Sequence, residues 1–274
     1  MENTLLDDIW AVILCGGRGS RLGSITETLP KPLVEVHDKP ILWYTFLMLY
    51  KHGFRNFIFP LGYKGHMIKE FICREFEEYD CTIHFVDTGE DTLISGRLQK
   101  VTKLLPDHSN FFLLNGDTFF DFDIIDMYLL HRRKNSLLTL SSVGITSAYG
   151  IIIEKNNRIV DFSRDKKISH FSLDPENTFQ GYVNAGLTWL NKDALDFVDL
   201  RIIDELEQNL YPILINNNRA CHYKIEGNWF AIDTQKDLDI INSKPEGINH
   251  IGYALEETKK SLEKIYNLLN VQEE

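Results

Sequence analysis

Short apolar runs alternate with helical segments through the first half of the chain, and this alternation limits the possible folds more than any other feature. Strands are predicted at Ile9–Cys15, Asn56–Leu61, Thr82–Val86 and Asn110–Leu114. Between them, helices are predicted at about Ile41–His52, Lys64–Glu78 and Ser95–Leu105. Alternating strands and helices form parallel sheets that helices cover on both faces. We therefore predict an α/β fold with a mixed, mostly parallel sheet and helices on both faces.

The second half of the chain is richer in strands, so antiparallel additions to the sheet are expected there. Its predicted strands are Leu137–Val143, Gly150–Glu154, Arg158–Phe162, Tyr182–Leu190 and Ala220–Ile225. A helix is predicted near Ile203–Asn216. The polar segment Arg164–Gln180 is interpreted as a loop or a lid over the substrate, because it is charged and contains Pro175.

The length of 274 residues favours one large domain, predicted over residues 1–245, followed by a separate C-terminal segment, residues 246–274. That segment contains a charged helix, predicted over Ala254–Asn270, with an apolar stripe formed by Leu255, Leu262, Ile265 and Leu269. Such a stripe is typical of a coiled-coil or docking seam, and it makes the helix a candidate for homo-oligomerisation. Packing of the helix on its own subunit explains the same pattern equally well.

Composition excludes several functional classes. A hydrophobic content of 43% and a charged content of 25% are those of a globular protein, and a net charge of −11 argues against a nucleic-acid partner. The longest apolar run, Pro40–Tyr50, is too short to span a bilayer, and no signal peptide is recognised, so we expect a cytoplasmic enzyme without a membrane partner. Neither disulfides nor a zinc site are indicated by the scattered cysteines, which are Cys15, Cys73, Cys81 and Cys221.

A glycine-rich turn follows the first predicted strand, and a Pro-Lys-Pro segment lies shortly after it. Glycines allow positive φ and a close approach of the backbone, so that free N–H groups can point at phosphate oxygens. Arg18, Arg21 and Lys31 add positive charge that a plain turn would not need. The segment is neither a Walker A loop nor a dinucleotide-binding turn, because both spacings are missing. It predicts a phosphate site in an otherwise acidic protein.

The motif Gly-Gly-x-Gly-Ser-Arg-Leu followed by Pro-Lys-Pro resembles that of the sugar-1-phosphate nucleotidyltransferases, and the resemblance runs from about Trp10 to about Asn242. It implies a Rossmann-like fold of the nucleotide-diphospho-sugar transferase type. It also implies that Arg21 contacts the β- and γ-phosphates of a nucleoside triphosphate, and that Lys31 lies near the α-phosphate and the incoming sugar phosphate. The loop residues assigned to the nucleotide are Leu14, Gly16, Gly17, Arg18, Gly19, Ser20 and Arg21.

Asp117 comes just after an apolar strand, at the sheet edge where open α/β sheets bind ligands. By itself, Asn115-Gly116-Asp117 is also typical of a simple turn. The resemblance favours a metal ligand, because Leu-Asn-Gly-Asp matches the metal motif of the family, and it implies Mg²⁺ as the cofactor. Asn115 and Gly116 are assigned to the nucleotide site. Of the nearby aspartates, Asp121 is a candidate to support the metal ligand, and Asp123 is a candidate helix cap.

Asp233 is the predicted second metal ligand. It ends another apolar strand, in a run similar to the family motif Trp-x-Asp-x-Gly-Thr-x-x-Asp-Leu. Here Thr234-Gln235 replaces the usual glycine-containing turn, and Thr234 is a candidate cap for the helix that follows.

The segment from Asp87 to Leu98 is predicted to contact the base, since it resembles the glucose-1-phosphate cytidylyltransferase branch of the family. This chain lacks a long insertion of that branch, and the runs around Cys15 and Asp117 resemble heptose-1-phosphate guanylyltransferases instead. The resemblance of the base-contacting segment favours CTP, and these two differences keep GTP as the alternative. The residues predicted near the base are Thr88, Gly89, Ser95, Gly96 and Arg97.

The sugar phosphate is assigned to three segments in the second half of the chain. Asn184-Ala185-Gly186 resembles the Asn-Ala/Gly-Gly strand of the family, and a plain strand rarely has Ala-Gly at its centre. Lys166, with Arg164 as the alternative, is the counterpart of the phosphate-binding lysine of the family. Tyr149 and Gly150 are also predicted to bind the substrate. They follow Ala148, where the family usually has an arginine, and this difference keeps a phosphorylated alditol or a choline-type acceptor open.

The implied reaction is an in-line attack of a sugar 1-phosphate on the α-phosphorus of the triphosphate, with pyrophosphate as the leaving group. The product would be a nucleotide sugar for surface polysaccharides, and the predicted catalytic residues are Arg21, Lys31 and Asp117. Catalysis would consist of positioning and charge neutralisation. A non-catalytic nucleotide-sugar sensor and an adaptor organised by the C-terminal helix are the competing classes. A sensor would be expected to lack one of four residues, and all four are present: Arg21, Lys31, Asp117 and Asp233. An adaptor role would explain the C-terminal helix but not the glycine-rich loop.

Overall fold

The computed structural model describes residues 5–146, 151–155, 158–163, 167–168, 170–174, 177–180, 182–226 and 228–243. The strands are β1 (Trp10–Leu14), β2 (Glu35–Val36), β3 (Lys39–Pro40), β4 (Asn56–Leu61), β5 (Thr82–Asp87), β6 (Asn110–Asn115), β7 (Thr118–Asp121), β8 (Leu138–Thr146), β9 (Ile151–Lys155), β10 (Arg158–Ser163), β11 (Lys167–Ile168), β12 (His170–Asp174), β13 (Asn177–Gln180), β14 (Tyr182–Asn191), β15 (Ala220–Lys224) and β16 (Asn228–Ala231). The helices are α1 (Ile25–Thr28), α2 (Ile41–Lys51), α3 (Gly65–Glu75), α4 (Ile94–Val101), α5 (Ile124–Arg133), α6 (Leu206–Asn209), α7 (Tyr211–Asn216) and α8 (Gln235–Ser243). Short 3-10 helices cover Ser20–Leu22, Lys31–Leu33 and Lys192–Phe197.

Within these residues, eight strands form one central sheet in the order β11-β8-β14-β6-β1-β4-β5, with β15 paired to β8. The pairs β1–β4, β1–β6 and β4–β5 are parallel, whereas β14 runs antiparallel to β6 and to β8. The prediction of a mixed, mostly parallel α/β sheet is therefore confirmed. Parallel strands place their carboxyl ends on one edge, so the segments after β1, β4, β5 and β6 lie together.

Apolar clusters cover both faces of the sheet. One contains most of α2 with α3 and α5, and the other contains α4, α7 and the 3-10 helix after β14. Helix α2 is buried along nearly its whole length, as its apolar sequence predicted. Helix α5 begins where Asp123 accepts a hydrogen bond from the Asp126 N–H (2.9 Å), so the predicted cap is confirmed.

Two predictions for the second half of the chain are wrong in the described residues. The segment predicted as a loop or lid contains the short strands β11, β12 and β13, and β12 pairs with β13 as an antiparallel ribbon. Local polarity did not reveal this ribbon, because strand pairing depends on the partner. The single helix predicted near Ile203–Asn216 is divided into α6 and α7. Pro212 lies in the first turn of α7 and has no N–H with which to continue α6.

The predicted C-terminal helix lies outside the described residues. No described helix is both long and apolar enough to cross a membrane.

Candidate active site

Two aspartates from distant parts of the chain lie together because two short strands pair. Asp117 immediately precedes β7, and Asp233 follows β16 by two residues. Strands β7 and β16 are antiparallel, with Ala231 opposite Thr118. The pairing brings the two carboxylates to the same end of the ribbon. The Trp229 indole N–H donates to the Ala185 carbonyl (2.8 Å), which ties β16 to β14 as well.

Lys31 lies between the two carboxylates. Its ammonium nitrogen is 2.6 Å from Asp117 Oδ2 and 2.9 Å from Asp233 Oδ1. Arg21 Nη1 is 3.4 Å from Asp233 Oδ2. Lys31 is buried in its 3-10 helix, and burial by itself lowers its pKa. The charges and hydrogen bonds of both aspartates outweigh that effect and raise the pKa of Lys31, so its side chain stays cationic at neutral pH.

This cluster lines a cavity of about 280 Å³ beside the glycine-rich loop. Cys15 is buried and lines the cavity. Its burial, and to a smaller extent the charge of Asp117, raise the pKa of its thiol. The thiol therefore remains protonated and uncharged. The predicted residues that line the cavity together are Leu14, Gly17, Gly19, Arg21, Lys31, Asp117 and Asp233.

The two carboxylates meet the requirements of a Mg²⁺ site that is completed by phosphate. Oxygens of both approach one cation, the Lys31 ammonium, so they reach a common point. Mg²⁺ is usually held by one or two carboxylates together with waters and substrate phosphates. In the described part of the chain, no cluster of three or more histidine, cysteine, aspartate or glutamate side chains could form a complete protein cage. The donor set therefore fits Mg²⁺ that arrives with a nucleotide.

The backbone of the glycine-rich loop packs so closely that a side chain at some glycines would clash with its neighbours. Gly19 has a φ of +65°, and a Cβ there would lie 2.7 Å from Lys31 Cβ. The Gly16 carbonyl accepts hydrogen bonds from Arg97 Nη2 (3.1 Å) and from the Tyr63 N–H (3.3 Å). A Cβ on Gly116 would lie 2.8 Å from the Cys15 sulfur, so the ends of β1 and β6 also touch.

We expect Gly16→Ala to destabilise the protein, because its Cβ would lie 1.8 Å from Arg97 Nη1, a contact that forces the guanidinium out of place. The free energy of unfolding should fall by about 1–3 kcal/mol, the usual cost of overpacking. Gly17→Ala is the matched control, since its Cβ would have nothing within 4 Å. Its effect should stay within about 0.5 kcal/mol. Chemical denaturation measures both, and equal losses would contradict the packing argument.

Arg18 faces away from the carboxylate cluster. Its guanidinium forms ion pairs with Glu90 (3.1 Å) and Asp91 (3.2 Å) on the loop between β5 and α4. It also lies over the Tyr63 ring, 5.0 Å from the centroid. Arg18 therefore connects the glycine-rich loop to the segment that was predicted to contact the base.

The predicted base-contacting residues lie next to the glycine-rich loop, but several side chains are engaged within the protein. Thr88 and Arg97 are buried, and Arg97 Nη1 donates to the Thr88 hydroxyl (2.5 Å). The Ser95 hydroxyl is buried and donates to the Ile203 carbonyl (2.6 Å). Gly89 has a φ of +88°, which suits glycine in a tight turn, and Gly96 lies in α4. Contacts of these residues with a base stay predictions.

A second cavity of about 300 Å³ adjoins the first, and Leu14 lines both. Asn115, Asn184 and Gly186 line it on the side of the sheet. The strand is irregular there, because the register of β14 on β8 shifts between Asn184 and Thr188, and Gly186 has a φ of +74°. The prediction that Ala185-Gly186 marks an unusual strand is confirmed.

The opposite wall of the second cavity combines the start of α4, which belongs to the predicted base-contacting segment, with residues near α6 that the sequence motifs did not indicate. Three carboxylates contribute to it, as do Leu93 and Ile94 at the start of α4. Burial raises the pKa of Tyr211 to about 12, so its hydroxyl stays protonated. A hydrogen bond with Thr188 lowers this pKa, and the charge of Glu207 raises it. No spacing in the sequence links α6 to β14. The carboxylates of this wall belong to Asp204, Glu205 and Glu207.

Some predicted site residues cannot be located. Tyr149, Gly150, Lys166 and the alternative Arg164 lie outside the described residues. Ser20 is described by its backbone alone, at the start of the 3-10 helix that contains Arg21. The Thr234 cap is present, because its hydroxyl accepts from the Asp237 N–H (3.3 Å) and Asp237 Oδ2 accepts from the Thr234 N–H (2.8 Å).

Comparison with known proteins finds relatives in sequence and in fold. The family model described as nucleotidyl transferase matches residues 10–243. The chain is 30% identical to the glucose-1-phosphate cytidylyltransferase of Salmonella typhimurium over 250 residues, covering 83% of this chain and 92% of that protein. It is 29% identical to the mannose-1-phosphate guanyltransferase of Yarrowia lipolytica over 83% of its own length and 61% of that protein. The crystal structure of HddC from Yersinia pseudotuberculosis superposes with a TM-score of 0.63 at 21% identity, covering 86% of this chain and 98% of that chain.

Proposed function

Because the chain belongs to the nucleotidyl transferase family, we propose that it transfers a nucleotide from a nucleoside triphosphate to a sugar 1-phosphate and releases pyrophosphate. The main support is the convergence of Lys31 and Arg21 on Asp117 and Asp233 in one cavity. Two cations and two carboxylates in one cleft suit a polyphosphate and a divalent metal. A non-catalytic sensor would not require all four groups.

The chain's own residues would act by positioning and by neutralising charge. Asp117 and Asp233 would hold Mg²⁺, which when bound supplies positive charge to the phosphates. Lys31 would release the carboxylates and contact the α-phosphate and the attacking sugar phosphate, while Arg21 would contact the departing pyrophosphate. A nucleotide transfer of this kind needs no covalent intermediate on the protein, because the attacking group is the sugar phosphate itself.

The second cavity would take the sugar. Its polar walls offer carboxylates, the amides of Asn115 and Asn184, and the Tyr211 hydroxyl. Among the described residues no lysine or arginine lines it. Hydrogen-bond acceptors without a cation suit the neutral hydroxyl groups of a sugar ring better than a second anionic group. The cavity lies beside the proposed phosphate site, so one acceptor molecule could occupy both.

CTP is the proposed nucleotide, with GTP as the alternative. The cytidylyltransferase of Salmonella typhimurium and the guanyltransferase of Yarrowia lipolytica have nearly the same identity to this chain, 30% and 29%. The relation to the cytidylyltransferase extends over 92% of that protein, against 61% of the guanyltransferase. The Asp-Thr-Gly and Ser-Gly-Arg-Leu runs of the base-contacting segment favour CTP too. The expected product is a nucleotide sugar of the kind used for surface polysaccharides.

Pyrophosphate release tests this proposal directly. The purified chain would be assayed with each of the four ribonucleoside triphosphates against glucose 1-phosphate, mannose 1-phosphate, galactose 1-phosphate and glucuronic acid 1-phosphate. We expect the highest rate with CTP and a neutral sugar phosphate, and a loss of activity when EDTA removes Mg²⁺. Highest activity with GTP would favour the alternative base, and no release with any pair would contradict the proposed reaction.

A further inference from the structure

Glu207 contacts the residue at the centre of the proposed sugar site. It lies on α6, on the far side of the second cavity from the sheet. Asn184 Nδ2 donates a hydrogen bond to Glu207 Oε1 (2.8 Å). At the other end of the same amide, Asn184 Oδ1 accepts a hydrogen bond from the Gly186 N–H (3.0 Å). The Glu207 side chain thus reaches from α6 across the cavity to β14.

The two hydrogen bonds define the orientation of the Asn184 amide. An ionised carboxylate can only accept, and a backbone N–H can only donate, so a flipped amide would lose both bonds. The bond to Glu207 is also the stronger kind, since its acceptor is charged. Each end of the amide keeps one further hydrogen-bonding position, a second N–H and a second lone pair. These positions suit a pair of neighbouring sugar hydroxyls, one accepting and one donating.

The backbone around both residues is held in place. Leu206 is buried in the core and anchors α6 beside Glu207. Gly186 lies within the strand irregularity and has a positive φ, and a Cβ there would lie 3.2 Å from Asn115 Nδ2. Ser95 ties the segment before α6 to α4 through the Ile203 and Asp204 carbonyls. Glu207 on α6 and Asn184 on β14 therefore face each other across the cavity, and the backbone of both elements is packed against the rest of the protein.

We propose that Glu207 is a positioning residue, which orients the Asn184 amide so that it can bind two hydroxyls of the acceptor sugar. This inference rests on the proposed function of the second cavity. The proposal requires an acceptor phosphate with a hydroxylated sugar ring. It gives Glu207 a role that no sequence motif indicated. Glu207 acts through Asn184, so its loss should matter only when Asn184 is present.

The test compares the Michaelis constants of the two substrates. In the pyrophosphate assay, with the pair that gives the highest rate, Glu207→Ala should raise KM for the sugar 1-phosphate by about 3- to 10-fold, the range for losing one ordinary hydrogen bond, because both side chains of the pair are exposed. KM for the nucleoside triphosphate should change less than about twofold, since Glu207 does not line the first cavity. Glu207→Gln should restore most of the affinity, because its amide oxygen still accepts from Asn184.

Two neighbouring substitutions separate orientation from charge. Glu205→Ala removes the same charge from the same wall, but the Glu205 carboxylate accepts from Gln208 Nε2 (3.0 Å) rather than from Asn184. Its effect on KM should be less than about a third of that of Glu207→Ala. Gln208→Ala, on the same short helix, should leave both KM values unchanged. Equal effects of Glu205→Ala and Glu207→Ala would overturn the proposal in favour of a general charge effect.

A double-mutant cycle provides the decisive readout. If Glu207 acts through Asn184, the double variant Glu207→Ala, Asn184→Ala should lose no more affinity for the sugar phosphate than Asn184→Ala alone. Additive losses would overturn the positioning role. If the wild type releases no pyrophosphate with any pair, the proposed reaction fails, and calorimetric binding of glucose 1-phosphate to the same variants then decides the role of Glu207. Absence of binding to the wild type would overturn both proposals.

Discussion

Replacement of Asp117 by alanine should reduce pyrophosphate release by at least about 10²–10³-fold, the range for removing one preorganised charge-stabilising group. Asp117 is one of only two carboxylates that meet at Lys31 among the described residues. Its loss would leave Asp233 as the single carboxylate for Mg²⁺ and would weaken neutralisation of the triphosphate. Steady-state release of pyrophosphate at saturating Mg²⁺ measures the effect.

The variant should still fold, because Lys31 keeps its 2.9 Å contact with Asp233 and Asp117 itself is partly exposed. Asp123→Asn is a suitable control from the same segment. It removes a carboxylate six residues away, while an asparagine can still cap α5. We expect near wild-type activity from the control and an unchanged circular dichroism spectrum from both variants. Activity of Asp117→Ala close to wild type would contradict the assignment of this carboxylate.

Replacement of Lys31 by alanine should have two effects of opposite sign. Pyrophosphate release should fall by at least about 10²–10³-fold, because the attacking and the attacked phosphates lose a cation. Mn²⁺, a probe for Mg²⁺, should bind the nucleotide-free protein about tenfold more tightly. Removing the ammonium frees two carboxylates that it now occupies. A unit charge pair 4 Å apart near a protein surface interacts by about 4 kcal/mol, and about a third of that energy is enough for tenfold tighter binding. Calorimetric titration with Mn²⁺ in the absence of nucleotide measures the second effect.

Lys39→Ala is the charge-matched control for the metal titration. Lys39 lies on the short strand β3 and is 3.8 Å from Glu75, outside the first cavity. Its removal should change neither the Mn²⁺ affinity nor the rate. If Lys31→Ala left the Mn²⁺ affinity at the wild-type value, Lys31 would not compete with the metal, and the two carboxylates would not form the metal site. The rate of pyrophosphate release and the Mn²⁺ affinity are independent measurements. Loss of activity alone would therefore not show whether Lys31 competes with the metal.

The elements around the first cavity were predictable because local sequence encodes them. The strand before the glycine-rich loop and the strand before Asp117 are short apolar runs with turn residues after them, and both are present as β1 and β6. Glycine at position 19 is required by its positive φ and by its contact with Lys31. The carboxyl ends of parallel strands meet at one edge, so nearness of the loop and Asp117 followed from fold class alone.

Other features depended on partners that the local sequence does not name. Segment 164–180 was polar enough to resemble a loop, yet its described residues pair as strands. Asp233 was identified by a motif, but its nearness to Asp117 results from the pairing of β7 with β16, more than a hundred residues apart. The α6 part of the second cavity's wall, which contains Glu207, has no motif. Its position follows from the break between α6 and α7 and from the burial of Leu206.

The sequence by itself predicted the fold class, because strand periodicity and glycine turns act over a few neighbouring positions. The resemblance to a known family added the residues that are expected to bind phosphate and to support nucleotide transfer. Only the tertiary structure decided that Lys31 lies between Asp117 and Asp233, and that the Asn184 amide donates a hydrogen bond to Glu207. Both contacts join residues that are distant in the chain. Their geometry is set by strand register and core packing, which depend on the whole fold rather than on local propensity.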